Sequence, residues 1–173
     1  MAKYWTLAAL ASVLLAVPVK GQPLTPAEQY LLQSYMGQAY GRFMAGSLGI
    51  KSLHVLTNDT STCAGLTVGL GTGFVDLEGR RPLAVTVLAT PTAAQMLNPK
   101  EDGVALLFGG QATAEVNAAL TRSVLRQLAQ DQYPGAIFFH LRVWTPGFVA
   151  QAAQEDPLIA SYLAAKNNLF AVI

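Results

Sequence analysis

The sequence has very little cysteine and little charge. Its 173 residues include one cysteine, Cys63, so neither an internal disulfide nor a cysteine-based zinc site can form. Charged residues make up 12% of the chain, and no run of like charge is longer than two residues. Because nucleic-acid binding requires a concentrated positive patch, we expect no nucleic-acid partner.

Hydrophobic residues, in contrast, account for 52% of the chain. This content excludes a disordered chain and is ample for a packed core. The length suits one domain of ordinary size rather than two full domains.

The N-terminal residues have the pattern of a secretory signal peptide. A positive charge, Lys3, precedes an apolar run at residues 6–19, and Gly21 stands at the expected cleavage site. We therefore predict that residues 1–21 are a cleaved signal peptide and that residues 22–173 form one extracytoplasmic domain, periplasmic or secreted. The alternative is an uncleaved anchor, which would place the protein at a membrane. The apolar run is shorter than the roughly 17 residues that a membrane span needs, which favours cleavage.

Helical periodicity is clearest near the start of the mature chain. Apolar residues recur every four positions over residues 28–47, which predicts a long N-terminal helix. Thr25 and Pro26 form a helix start, and Glu28 completes a capping box. Similar signals predict four further helices, at residues 91–97, 113–130, 146–153 and 157–166.

Alternating patterns rich in Val, Thr and Leu predict strands between these helices. The predicted strands lie at residues 52–57, 65–75, 82–90, 104–108 and 136–144. The short connection after the second strand predicts an antiparallel hairpin, and the strand–helix–strand order at the end predicts one parallel pair. We therefore expect a single-domain α+β fold with a mixed, mostly antiparallel sheet of about five strands. The long N-terminal helix, one crossover helix and the C-terminal helices are expected to pack on this sheet.

Glycines are concentrated in the second predicted strand. Gly69, Gly71 and Gly73 alternate along it, so they are expected to share one bare face. This face could accommodate a packed helix, such as the one that carries Gly37 and Gly41, or it could be a platform for a ligand. We favour the packed helix.

The last predicted strand carries polar and aromatic side chains on one face. Phe138, His140, Arg142 and Trp144 alternate with apolar residues, and an imidazole beside a guanidinium could bind a carboxylate or another anion. The alternative is a structural role beneath a covering helix. His54 could join His140 if their strands were neighbours, but no spacing supports a metal site.

A second candidate anion site is the turn Gly109-Gly110-Gln111. This turn leads from a predicted strand into a predicted helix, where backbone N–H groups can bind an anion. Most such turns bind nothing, and that alternative remains open.

The sequence contains no recognised catalytic motif. It has no glycosidase-like carboxylate pair, nucleophile elbow, phosphate loop or dinucleotide fingerprint, so we predict no catalytic residue and no cofactor. The leading hypothesis is an exported, non-enzymatic module that binds a partner protein or a small ligand in the bacterial envelope. The alternative is a small secreted enzyme or an anion-binding protein centred on His140 and Arg142.

Low charge also favours self-association. The apolar tail, residues 169–173, could dock on a second subunit, add an edge strand to its own sheet or cover the core.

Overall fold

The computed structural model of the protein describes residues 23–76, 81–90, 99–109 and 112–172. Within these ranges the chain forms one sheet with the strand order β2-β1-β3-β4-β5. The strands are β1 (Leu53–Thr57), β2 (Leu83–Val87), β3 (Gly103–Leu107), β4 (Ala136–His140) and β5 (Leu169–Val172). The predicted signal peptide and the predicted helix at residues 91–97 lie outside the described residues.

Every described strand pairing is parallel. The helices that connect or flank the strands are α1 (Pro26–Arg42), α2 (Ser61–Asp76), α3 (Ala114–Gln130), α4 (Leu141–Trp144), α5 (Phe148–Glu155) and α6 (Pro157–Ala164). A π-helical turn, Phe43–Ser47, follows α1 directly. The protein therefore has an α/β fold, because helices connect parallel strands and pack on both faces of the sheet.

Side chains alternate between the two faces of the sheet and divide the core in two. On the first face, which α1 and α2 cover, Val55, Leu107 and Phe138 are fully buried. On the second face, Leu106 and Phe139 pack among residues of α3, α5 and α6. Burial on both faces explains why the central strands β3 and β4 are almost continuous apolar runs.

The predicted mostly antiparallel α+β fold is wrong, and one segment accounts for the error. Residues 65–75 were expected to be a strand, but they lie in α2, which connects the parallel strands β1 and β2. The expected hairpin therefore does not exist. The predicted parallel pairing of β3 with β4 through α3 is confirmed.

Several helix boundaries are confirmed by their capping contacts. Thr25 and Glu28 form the predicted capping box of α1, with Thr25 N donating to Glu28 Oε2 at 2.8 Å. Asp156 caps α6 by accepting from the N–H of Leu158 at 3.0 Å. The helix expected to begin at Pro146 begins later, at Phe148, after Gly147 in the left-handed conformation.

The C-terminal tail adds an edge strand to the protein's own sheet. Phe138 of β4 pairs with Phe170 of β5, and their rings stack with centroids 5.1 Å apart. Of the three alternatives considered for this tail, the intramolecular strand is the one observed.

Glycines allow α1 and α2 to contact each other backbone to backbone. A Cβ atom on Gly69 would lie 1.9 Å from the carbonyl oxygen of Ser34, which is far inside van der Waals contact. Four glycines are crowded in this way by backbone of the other helix: Gly37 and Gly41 on α1, and Gly69 and Gly73 on α2. The predicted close approach to Gly37 and Gly41 is confirmed, although it joins two helices rather than a helix and a strand.

Gly71 lies outside this contact. A Cβ atom there would meet only the end of the Leu83 side chain, at 3.0 Å. The three glycines that were expected to share a face therefore do not. Helical spacing places Gly69 and Gly73 on one side of α2 and turns Gly71 toward β2.

In the described part of the chain, no helix combines the length and the apolar character that a membrane span requires.

Candidate functional site

The order of the strands reverses between β1 and β3, the place where open α/β sheets commonly have a crevice. From β1 the chain passes through α2 to β2, which lies at one edge of the sheet. From β3 it passes through α3 to β4, which lies toward the opposite edge. The two helices pack on opposite faces. In open α/β sheets this reversal opens a crevice at the C-terminal ends of the two central strands, and ligands bind there. The corresponding residues follow Thr57 of β1 and Leu107 of β3, which pair with each other.

A buried amide lies at this point. Asn58 directly follows β1 and is 5% exposed. Its Oδ1 accepts a hydrogen bond from Thr60 Oγ1 at 3.2 Å. Its Nδ2 is buried, and no described residue accepts a hydrogen bond from it. A buried donor without an acceptor costs free energy, and an acceptor oxygen brought to Nδ2 would remove that cost.

The N-terminus of α2 lies next to this amide. Thr60 Oγ1 accepts from the N–H of Cys63 at 3.3 Å, and Thr60 O accepts from the N–H of Ala64. Helix geometry leaves the N–H groups of Ser61 and Thr62 without intrahelical acceptors. These two amides and the positive end of the helix dipole favour an anion.

Gly109 and Arg142 come together just beyond the C-terminal ends of the neighbouring strands β3 and β4. Gly109 follows β3 with φ +104°, and a Cβ atom there would lie 2.9 Å from Arg142 Cβ. Glycine permits both the left-handed backbone and this approach. Arg142 is exposed and lies two residues beyond the end of β4. Of the predicted turn Gly109-Gly110-Gln111, the last two residues lie outside the described part of the chain.

His140 ends β4 and is 5% exposed. Its Nδ1 accepts from the N–H of Arg142 at 3.4 Å, which caps the short helix α4. The ring of Tyr40, on α1, packs edge-on against the imidazole with centroids 6.4 Å apart. Burial, and then the charge of Arg142, lower the pKa of His140 to about 4, so the imidazole is neutral at physiological pH.

The four residues expected on one strand face are divided, because β4 ends at His140. Phe138 is fully buried against Phe170, whereas Trp144 lies in α4 and is 46% exposed. The expected strand at residues 136–144 is therefore wrong beyond His140. Only His140 and Arg142 remain adjacent at the end of the sheet.

His54 and His140 do not meet. The strand β3 lies between their strands, and alternation places His54 on the second face and His140 on the first. His54 Nε2 lies 2.8 Å from Thr86 Oγ1, and its Nδ1 lies 3.4 Å from Glu101 Oε2. At that second distance Nδ1 makes no well-formed hydrogen bond to a described residue. Nowhere in the described residues do three His, Cys, Asp or Glu side chains group as metal ligands would.

Sequence reasoning missed Asn58 and the start of α2 as a candidate site. A signal was present, since residues 58–62 are a polar run directly after an apolar strand. The position of this polar run next to the end of β3 became clear only from the pairing of β1 with β3.

Comparisons with known proteins found a family model and a solved structure to which this chain is similar. The structure is a crystal structure of an ABC transporter solute-binding protein from R. palustris in complex with benzoate, with 16% sequence identity and a TM-score of 0.47. The similarity covers 69% of this chain and 32% of that protein, so this chain spans about a third of its length. A search of curated proteins gave no match.

A family model matches residues 29–173, which include every described strand. The chain therefore belongs to the protein family whose model is described as "Uncharacterized protein".

Proposed function

We propose that the protein is a non-enzymatic binding module that takes a small oxyanion, a carboxylate or a phosphate, between the C-terminal ends of β1 and β3. The observation that carries this proposal is the buried Nδ2 of Asn58, which lacks an acceptor among the described residues. It lies beside the N-terminus of α2, so an acceptor that carries negative charge suits both groups.

Arg142 gives the proposal a second source of positive charge. Its backbone packs beside Gly109 at the end of β3, the strand next to β1. A guanidinium can bind a carboxylate or a phosphate through two parallel hydrogen bonds. The ligand is therefore expected to lie across the ends of the central strands, with one end at Asn58 and Arg142 at its rim.

His140 supports a binding role more than a catalytic one. A general base must reach its substrate and should titrate near the working pH. His140 is buried against Tyr40, and its pKa is lowered to about 4. We assign it the positioning of α4, through its hydrogen bond to the N–H of Arg142.

The binding site can be tested by calorimetric titration with inorganic phosphate, citrate and benzoate. At least one of these anions is expected to bind with a Kd below about 1 mM. Asn58→Leu and Arg142→Gln should each weaken that binding about tenfold or more, because a hydrogen bond to a charged group contributes about 1.5–3 kcal/mol. A preference for phosphate or for the carboxylates would identify the ligand class.

Arg126→Gln is the matched control, since Arg126 is an exposed arginine on α3 that pairs with Asp156 at 3.6 Å. Its substitution removes the same charge far from the crevice and should leave binding unchanged. Binding of none of the three anions, or an equal loss in all three variants, would contradict the proposed site.

We also propose that the protein acts outside the cytoplasm, as the signal-peptide pattern of residues 1–21 predicts. N-terminal sequencing of the protein purified from its host is expected to give Gln22 as the first residue. A chain that begins at Met1 or Ala2 would instead support the uncleaved anchor, and with it a membrane-tethered module.

A further inference from the structure

The outer face of α1 exposes large apolar side chains. Tyr35 is 70% exposed, Leu31 is 54% exposed, and Leu32 is also exposed. Phe43, the first residue of the π-helical turn that follows α1, is exposed as well. The outward face of a surface helix is usually polar, and contiguous apolar surface commonly marks an interaction site. The adjoining helix α2 adds exposed Val68 and carries no charged residue before its final Asp76.

The only two charged residues of α1 are placed symmetrically about Tyr35. Glu28 lies seven residues before Tyr35 and Arg42 seven residues after it. Seven residues are close to two helical turns. Each of these seven-residue steps leaves a rotation of only about 20° around the helix axis, so the three residues lie in one row. All three are exposed, and the row has opposite charges at its two ends.

We propose that this face binds the same face of a second copy of the chain, with the two α1 helices antiparallel and a two-fold axis at Tyr35. In this arrangement each residue meets the one equally far on the other side of Tyr35. Glu28 then lies beside Arg42 of the second copy, and Arg42 beside its Glu28. Opposite charges at matching heights fix the direction of the pairing.

Side-chain size supports the same arrangement. Leu31 meets Ala39 of the second copy, and Phe43 meets Ala27, so each large apolar side chain faces a small one. All four of these residues are exposed in the single chain. Alternating large and small side chains lets two helices interdigitate closely. The exposed apolar side chains of this face are expected to provide the affinity of the dimer. The two ion pairs are expected to set its orientation.

The charges distinguish a second copy from a lipid surface. A helix that lies on a membrane typically carries several Lys or Arg on its polar face. The helices α1 and α2 together contain a single basic residue, Arg42, which is fewer than a membrane-bound helix typically carries.

Sedimentation velocity of the purified full chain at high micromolar concentration tests the proposal. The wild-type protein is expected to be a dimer. Glu28→Lys and Arg42→Glu should each weaken dimerisation at least about tenfold, because each places like charges together at both ends of the row. An equimolar mixture of the two variants should recover a dimer, since each end then pairs opposite charges.

The double variant Glu28→Lys/Arg42→Glu should also dimerise, which shows that neither substitution acts by unfolding the helix. Arg122→Glu reverses a charge on α3, on the other face of the sheet, and should leave the dimer intact. A monomeric wild-type protein, or a mixture that stays monomeric, would overturn the proposal. A monomer that co-sediments with phospholipid vesicles would assign this face to a membrane instead.

Discussion

Replacing Gly69 with alanine is expected to destabilise the protein by at least about 3 kcal/mol, despite the better helix propensity of alanine. The new Cβ atom would lie 1.9 Å from the carbonyl oxygen of Ser34. A backbone oxygen cannot rotate away as a side chain can, so α1 and α2 would have to separate. Urea unfolding followed by circular dichroism gives the free energy of unfolding directly.

Gly71→Ala is the matched control on the same helix. Its Cβ atom would meet only the end of the Leu83 side chain, at 3.0 Å. Alanine gains about 1 kcal/mol in helix propensity, which should offset that crowding and keep the stability within about 1 kcal/mol of the wild type. Equal losses in the two variants would show that the close contact of α1 and α2 is not as described.

Acidification is expected to destabilise the folded protein through His140, by roughly 3 kcal/mol between pH 6.5 and pH 4. The pKa of this buried imidazole is lowered from 6.5 to about 4. Between these values the unfolded chain binds a proton that the folded chain excludes. The free energy of unfolding therefore rises with pH across this window, and the contribution is complete above pH 6.5.

The measurement is the free energy of unfolding at several pH values in the wild type and in His140→Asn. Asparagine can still accept from the N–H of Arg142, but it cannot titrate, so the slope between pH 6.5 and 4 should largely disappear. A slope that persists in His140→Asn would assign the acid sensitivity to other groups.

Local signals in the sequence predicted most element positions. The capping box at Thr25 and Glu28 and the cap at Asp156 act over three or fewer residues, so the sequence alone specifies those helix starts. The strand β1 is predicted within one residue, since apolar strands bounded by polar loops carry their own pattern.

The direction of the strands could not be predicted once α2 had been taken for a strand. Glycine and β-branched residues have low helix propensity, so its composition favoured a sheet. The informative spacing was the four-residue one that relates Gly65, Gly69 and Gly73, because it matches Gly37 and Gly41 on α1. Tertiary contact, which local propensity does not include, makes this glycine-rich segment a helix.

The candidate site was predicted in part. Gly109 was identified from the turn between a strand and a helix, and Arg142 from its alternation with His140. The structure places Gly109 and Arg142 in contact. Asn58 was missed because its significance depends on β1 lying next to β3, a pairing between segments about fifty residues apart. His140 and Arg142 were assigned to one strand, since alternation continues through α4 and does not show where β4 ends.

The all-parallel sheet has a consequence for how the chain folds. In the described sheet, each strand pairs only with strands about thirty or more residues away along the sequence. No hairpin can form early, and such non-local pairing makes folding slow. A slow folder stays unfolded long enough to be threaded through a secretion channel, which the proposed export requires. The same delay leaves apolar strands such as β3 and β4 exposed to aggregation, so we expect the unfolded chain to depend on a holding chaperone before it crosses the membrane.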